Sequence, residues 1–256
     1  MRSLVLAATG TAALSLAACG TSTIDAAKGE QEISKAVRVQ AGVPVKEVLV
    51  ADASRRTTAV NAYFTGFGPT RRIVLYDTLI QSLTPREADL VIAHEAGHWR
   101  LHHIYKGLAM GVVGAGLALW LAAALLRALF GARAFGLAGP LDPAAAVLFV
   151  LLYWLGMFLS MPIENAISRR VEAQADQFAL DLTGDAATEV AVEVALTKKN
   201  LGDVAPPPLA RFFFFSHPGA LERIAQAERY RPAVAPPSAP GSALDTLTTA
   251  PGDSLR

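Results

Sequence analysis

The segment His94-Glu95-Ala96-Gly97-His98 sets two imidazoles four residues apart with a carboxylate beside the first. On a helix this spacing puts both rings on one face, one turn apart. His94 and His98 can then offer nitrogens to one ion while Glu95 stands alongside to handle a proton. That is the pattern of the zinc and general-base helix of a metallopeptidase. The competing reading is a solvated helix that matches by chance, and the rest of the chain has to decide between them. A zinc ion that keeps an open position for water needs a third protein ligand. The best placed is Glu172, within Ser168-Arg169-Arg170-Val171-Glu172-Ala173-Gln174-Ala175-Asp176. Glu172 and Asp176 share a helix face, so one can bind the ion while the other steers a ligand. A solvated acidic helix paired with Arg169 and Arg170 is the alternative.

Composition narrows the setting of this chemistry. The chain is 52% hydrophobic and only 18% charged, too apolar for an ordinary soluble enzyme. Its net charge of +1 gives no reason to expect nucleic acid. A lone cysteine, Cys19, excludes an intramolecular disulfide framework and a cysteine-rich metal site, so any metal ligands come from histidines and carboxylates.

The elements that must position these groups can be read along the chain. Residues 1–23 have the layout of a secretion signal, with Arg2, an apolar run from Leu4 to Leu16, and small residues before Cys19. Leu16-Ala17-Ala18-Cys19-Gly20 resembles a bacterial lipoprotein processing site. Ile24 to Ala41 reads as a helix. Val43 to Ala51, Asn61 to Thr65 and Arg72 to Tyr76 read as three strands of a small antiparallel sheet. Thr84-Pro85-Arg86-Glu87 carries an N-cap, a proline at the first helical position and a capping-box glutamate, which opens the helix bearing His94, Glu95 and His98. Gly107 to Leu126 and Pro143 to Ile163 are charge-free blocks of 20 and 21 residues, each long enough to cross ~30 Å of hydrocarbon. Two buried core helices are the alternative. The short glycine- and alanine-rich linker between them makes a helical hairpin. Asn165 to Thr183 continues as a polar helix ended by Gly184, and Thr188 to Asn200 forms another. Pro206-Pro207-Pro208 breaks the chain, Pro218 to Tyr230 forms a last helix, and residues 232–256 read as a disordered Pro/Ala-rich tail.

Several spaced motifs together resemble the zinc-dependent CAAX prenyl endopeptidases and related heat-shock-linked membrane metalloproteases. They are Asn61 to Gly68, Arg72 to Leu79, His94 to His103, the Glu172/Asp176 segment, and Ser216-His217-Pro218 with Arg223. The resemblance spans about residues 28–230. It implies one zinc ion held by His94, His98 and Glu172, with Asp176 behind the ligands and Glu95 as general base. It also implies that His217 and Arg223 stabilise the oxyanion. Asn61 and Ala62 would lie on an edge strand to which substrate backbone adds. Without the resemblance, His217 reads as a turn residue ahead of a helix, and Asn61 as a turn or bulge residue. His102 and His103 read as interfacial polar residues.

The expected protein is thus a mainly α integral membrane protein with a small antiparallel sheet. Its zincin-like core, over residues 24–231, is split by a transmembrane hairpin. The expected activity is hydrolysis of peptide bonds in membrane-associated or envelope proteins, with a catalytically silent zinc-binding scaffold as the alternative. A bacterial cell membrane is the expected location. Span-flanking charge weakly favours a cytoplasmic catalytic side, whereas a cleaved signal favours the exterior, and the exterior is preferred. Gly107, Gly111 and Ala115, at small-residue spacing, leave room for a homo-oligomer.

Overall fold

The computed structural model describes residues 42–232 apart from 44, 67, 132–133 and 140–141. The expected signal, the helix from Ile24 to Ala41 and the tail from residue 233 lie outside the described residues. The chain divides into two compact units. Among the described residues, 104–168 and 207–216 form one, and 42–103, 169–206 and 217–232 form the other.

The second unit contains a three-stranded sheet of β1 (Glu47–Ala51), β2 (Ala62–Thr65) and β3 (Arg72–Tyr76), in the order β1-β3-β2. The sheet is small, as expected, but mixed. β2 runs antiparallel to β3, with Ala62 opposite Leu75, while β1 runs parallel to it, with Val48 opposite Ile73. The parallel pairing follows from a shared tie at the strand ends. Asp77, directly after β3, accepts hydrogen bonds from the Ala53 and Ser54 N–H groups at 3.0 and 2.9 Å, just past β1. Both C-terminal ends are therefore held at one place, and residues 52–61 carry the chain to the far edge. β3 is central, and its Ile73, Val74 and Leu75 are buried, the near-continuous apolar run of a strand covered on both faces.

A short helix that the sequence reading did not anticipate, α1 (Asp77–Ser82), follows β3 directly. α2 (Pro85–Arg100) starts where its capping box requires. Thr84 accepts from the Glu87 N–H, and Glu87 Oε2 accepts from the Thr84 N–H at 2.7 Å. Ala88, Leu90, Ile92, Ala93, Ala96 and Trp99 form its buried face. α2 stops at Leu101, and His102 adopts a left-handed φ of 59°, a conformation few non-glycine residues take.

The other unit holds most of α3 (His103–Gly131) and the first part of α4 (Pro143–Thr183). Their outward side chains decide between core helices and membrane spans. Trp120 is 64% exposed, Val113 70%, Trp154 65% and Ile163 67%. A core helix would bury such residues, whereas a charge-free helix that exposes them is solvated by lipid. Small residues are the ones enclosed here. Ala122 and Ala145 are buried, and Gly156 faces Ala118, as is common where helices pack in a bilayer. Where only a proline break was expected, α6 (Pro208–Phe214) forms. Phe213 stacks on Phe158 at 5.4 Å, and its carbonyl accepts from the Asn165 amide.

α4 runs on without interruption through Thr183. Gly184, with φ of 65°, ends it. Asp185 then caps α5 (Ala186–Lys199) by accepting from the Thr188 N–H at 3.0 Å. α7 (Ala220–Arg229) closes the described chain, its Gln226 side chain donating to the Ala173 carbonyl on α4. Within this unit α2 and α4 come unusually close at Gly97. A Cβ there would sit 3.1 Å from Phe178 Cδ1 and 3.3 Å from the Ala175 backbone.

Candidate metal centre and active site

The close approach at Gly97 sets the two chemistry-bearing helix faces against each other. His94 Nε2 lies 3.1 Å from His98 Nε2 and 3.4 Å from Glu172 Oε2, and His98 Nε2 lies 3.7 Å from Glu172 Oε1. These three residues form a group able to hold a metal ion. Ligands ~2.0–2.1 Å from a tetrahedral zinc stand about 3.3 Å apart, so the His/His/carboxylate donor set fits that ion in type and spacing.

Glu95 sits beside the donor set. Burial pushes its carboxyl up, while His94 and His98 and a hydrogen bond from the Phe64 backbone pull the other way, and the net shift is upward. The Phe64 bond locates the edge of the sheet. The Asn61 carbonyl accepts from the Tyr76 N–H at 3.1 Å. By the alternation of an antiparallel ladder, the N–H and C=O groups of Ala62 and Phe64 therefore point away from β3. β2 is an edge strand whose outer side faces the general-base candidate. Its start is fixed by Asn200, whose side chain accepts from the Val60 N–H at 2.9 Å and donates to the Val60 carbonyl at 3.2 Å. Asn61 itself is exposed and precedes the strand; Ala62 is its first residue and is buried.

Behind the donor set, His94 Nδ1 meets Asp176 Oδ1 at 2.8 Å. Without a metal ion, burial opposes the His94 cation, but bonds to Asp176 and Glu172 overcome it and push the ring up to about 10. Burial likewise works to raise the Glu172 carboxyl, and hydrogen bonds from His94 and His98 win, holding it well below the usual carboxylate range. His217 Nε2 lies 3.6 Å from Glu172 Oε1, with the side chain 65% exposed, so it faces the open side of the site.

Arg223 is placed differently from the oxyanion role that the resemblance implied. Its guanidinium grips Asp176 with two bonds, Nε to Oδ2 at 2.8 Å and Nη2 to Oδ1. It also contacts Glu193 and approaches Glu189 at 3.7 Å. Asp176, Glu189 and Glu193 are all buried. A guanidinium enclosed by three carboxylates is already satisfied and is turned toward the back of His94.

Glu189 and Glu193 escaped the sequence reading, as did the contacts of His103 and Gln174. His103 Nδ1 lies 3.3 Å from His98 Nδ1, and His103 Nε2 lies 3.1 Å from Gln174 Oε1. One signal for the acids was available. Glu189-Val-Ala-Val-Glu193 sets two charges on one face of an otherwise apolar helix, and buried acids require a partner.

Comparison with known proteins agrees with this geometry. The model of peptidase family M48 matches residues 25–231. An uncharacterized metalloprotease, YhfN, of Bacillus subtilis (strain 168) is 37% identical over 193 residues, covering 74% of this chain and 45% of that protein. CAAX prenyl protease 1 of Saccharomyces cerevisiae is 33% identical over 199 residues, covering 72% of this chain and 44% of that one. The crystal structure of S. mikatae Ste24p superposes with a TM-score of 0.65 at 29% identity, covering 78% of this chain and 50% of that one. The chain thus spans about half the length of the relatives it matches. With its donor set, its neighbouring carboxylate and its two apolar helices all lying inside the matched region, the chain belongs to peptidase family M48.

Proposed function

We propose that this chain is a membrane-bound zinc metalloendopeptidase acting on membrane-associated or envelope proteins. The observation that carries the reading is the convergence of His94, His98 and Glu172 with Glu95 on the same helix. A zinc ion held there would supply Lewis acidity toward a water molecule and a scissile carbonyl. Glu95 accepts the proton of the attacking water and passes it to the leaving amine. His217, exposed at the open side, donates toward the oxyanion. Asp176 takes the Nδ1 hydrogen of His94 and leaves Nε2 free for the ion, and Arg223 acts by holding Asp176 in place. Substrate backbone pairs with the outward groups of Ala62 and the outward Phe64 carbonyl, next to Asn61, as a further strand. One relative is a CAAX prenyl protease, so a prenylated C-terminal peptide is one substrate class to test.

The test compares wild type with Glu95→Gln in matched detergent, using metal analysis with casein and prenyl-peptide cleavage. Zinc in both proteins, with hydrolysis reduced roughly 10²–10⁴-fold in the variant, is expected. Hydrolysis indifferent to Glu95 would overturn the mechanism. Zinc in both with no cleavage by either would favour the non-catalytic scaffold.

A further inference from the structure

We propose that His103 is a positioning residue for His98, and that Gln174–His103–His98 is a one-directional hydrogen-bond chain fixing the tautomer in which His98 binds the ion. The proposal rests on the metal reading above. Its basis is a pair of like atoms, Nδ1 of His98 and Nδ1 of His103, at 3.3 Å. Two imidazole nitrogens can bond only if one carries a hydrogen and the other a lone pair. His98 Nε2 is the nitrogen that faces His94 Nε2 and Glu172. When its lone pair goes to the ion, the hydrogen of the neutral ring must sit on Nδ1.

That assignment settles the rest. His98 Nδ1–H donates, so His103 Nδ1 accepts, and the hydrogen of the His103 ring lies on Nε2. There it meets Gln174 Oε1 at 3.1 Å, an acceptor. The reversed chain, with the Gln174 amide turned to donate, would put the His98 hydrogen on Nε2, the nitrogen whose lone pair the ion needs. His103 is 5% exposed, so water does not readily replace its partners.

Local structure explains how a residue so near in sequence reaches back to His98. α2 ends at Leu101, whose N–H donates to the Gly97 carbonyl, and the left-handed turn at His102 redirects the chain. His103 then presents its ring edgewise to His98, with centroids 5.2 Å apart and planes at 75°. Gln174 lies between Glu172 and Asp176 in sequence, so one stretch of α4 carries a metal ligand and supports for both histidines.

The experiment uses the full chain in detergent with zinc as the probe, its affinity measured by chelator competition. His103→Leu removes the acceptor and is expected to weaken zinc binding 10–100-fold. His103→Asn keeps an oxygen near the Nδ1 position and is expected to recover most of that loss. Imidazole ¹⁵N spectra of the zinc-loaded wild type are expected to show His98 protonated on Nδ1 and His103 on Nε2. Wild-type affinity in the leucine variant, equal losses in both variants, or His103 protonated on Nδ1 would overturn the proposal while leaving the metal reading intact. A wild type that binds no zinc would remove both.

Discussion

His94 and His98 stand one turn apart on α2, yet the protein supports them by opposite means. Behind His94 lies charge: Asp176, gripped by Arg223, with Glu189 and Glu193 closing around the guanidinium. Behind His98 the partners are an imidazole and an amide. A carboxylate makes its histidine more basic and a better metal ligand, but burying it requires counter-charge, and the counter-charge requires more carboxylates. The imidazole and amide fix orientation with no such demand. The charged support therefore ties α4, α5 and α7 together behind α2 and responds to pH, whereas the support of His98 has only two members, one just past α2 and one on α4.

The largest expected effect separates the two. Arg223→Ala leaves buried carboxylates without their cation, and about 3–5 kcal/mol of stability is expected to be lost, read from denaturant unfolding. A loss below about 1 kcal/mol would mean that the cluster rearranges and that the charge is not structural. Next, Asp176→Asn keeps shape but removes the charge, and zinc affinity is expected to fall 10–100-fold with the fold retained. A larger fall than in His103→Leu would confirm that the charged support matters more to the ion.

A pH series probes the same contrast without mutation. Burial lifts Glu189 from 4.5 to about 7 in the native protein. His94 rises from 6.5 to about 10, its carboxylate partners outweighing burial. In both cases the native state binds more protons than the unfolded chain, so stability falls as pH rises through these windows. Metal-stripped protein is expected to lose thermal stability from pH 5 to 7 through Glu189, and from about 6.5 to 10 through His94. Zinc-loaded protein is expected to lack the second decline, since His94 gives up its proton to bind. Identical pH profiles with and without zinc would separate His94 from the ion. Smallest of all, Thr84→Ala removes the α2 cap at a cost of ~1 kcal/mol. It lies at the far end of the helix, so the affinity for zinc is expected to stay level while the melting temperature drops.

What the sequence revealed follows a physical divide. Patterns within one helix were legible. The capping box at Thr84, the four-residue spacing of His94 and His98, and the charge-free spans each depend on neighbours along the chain. Glu172, sought in the sequence as a third ligand, stands within reach of both histidines. The parallel pairing of β1 with β3 was not legible, because it depends on Asp77 reaching across to residues 53 and 54. The ion pairs of Arg223 with Asp176, Glu189 and Glu193 were hidden for the same reason. These carboxylates come from α4 and α5, and no spacing within α7 encodes them. His103 lies five residues past His98, outside the helical spacing that pairs His94 with His98. Only the left-handed turn at His102, invisible to helical periodicity, brings it back to His98.

Gly97 carries no side chain that could hold a metal or a substrate. In most helices a glycine replaced by alanine would gain about 1 kcal/mol. Here the added methyl would press on Phe178 and on the backbone at Ala175, and anything larger would wedge the two metal-bearing helices apart. In a saturation mutagenesis screen for proteolysis, position 97 should therefore group with the ligands rather than with the core. Its intolerance would record a distance between helices rather than any chemistry of its own.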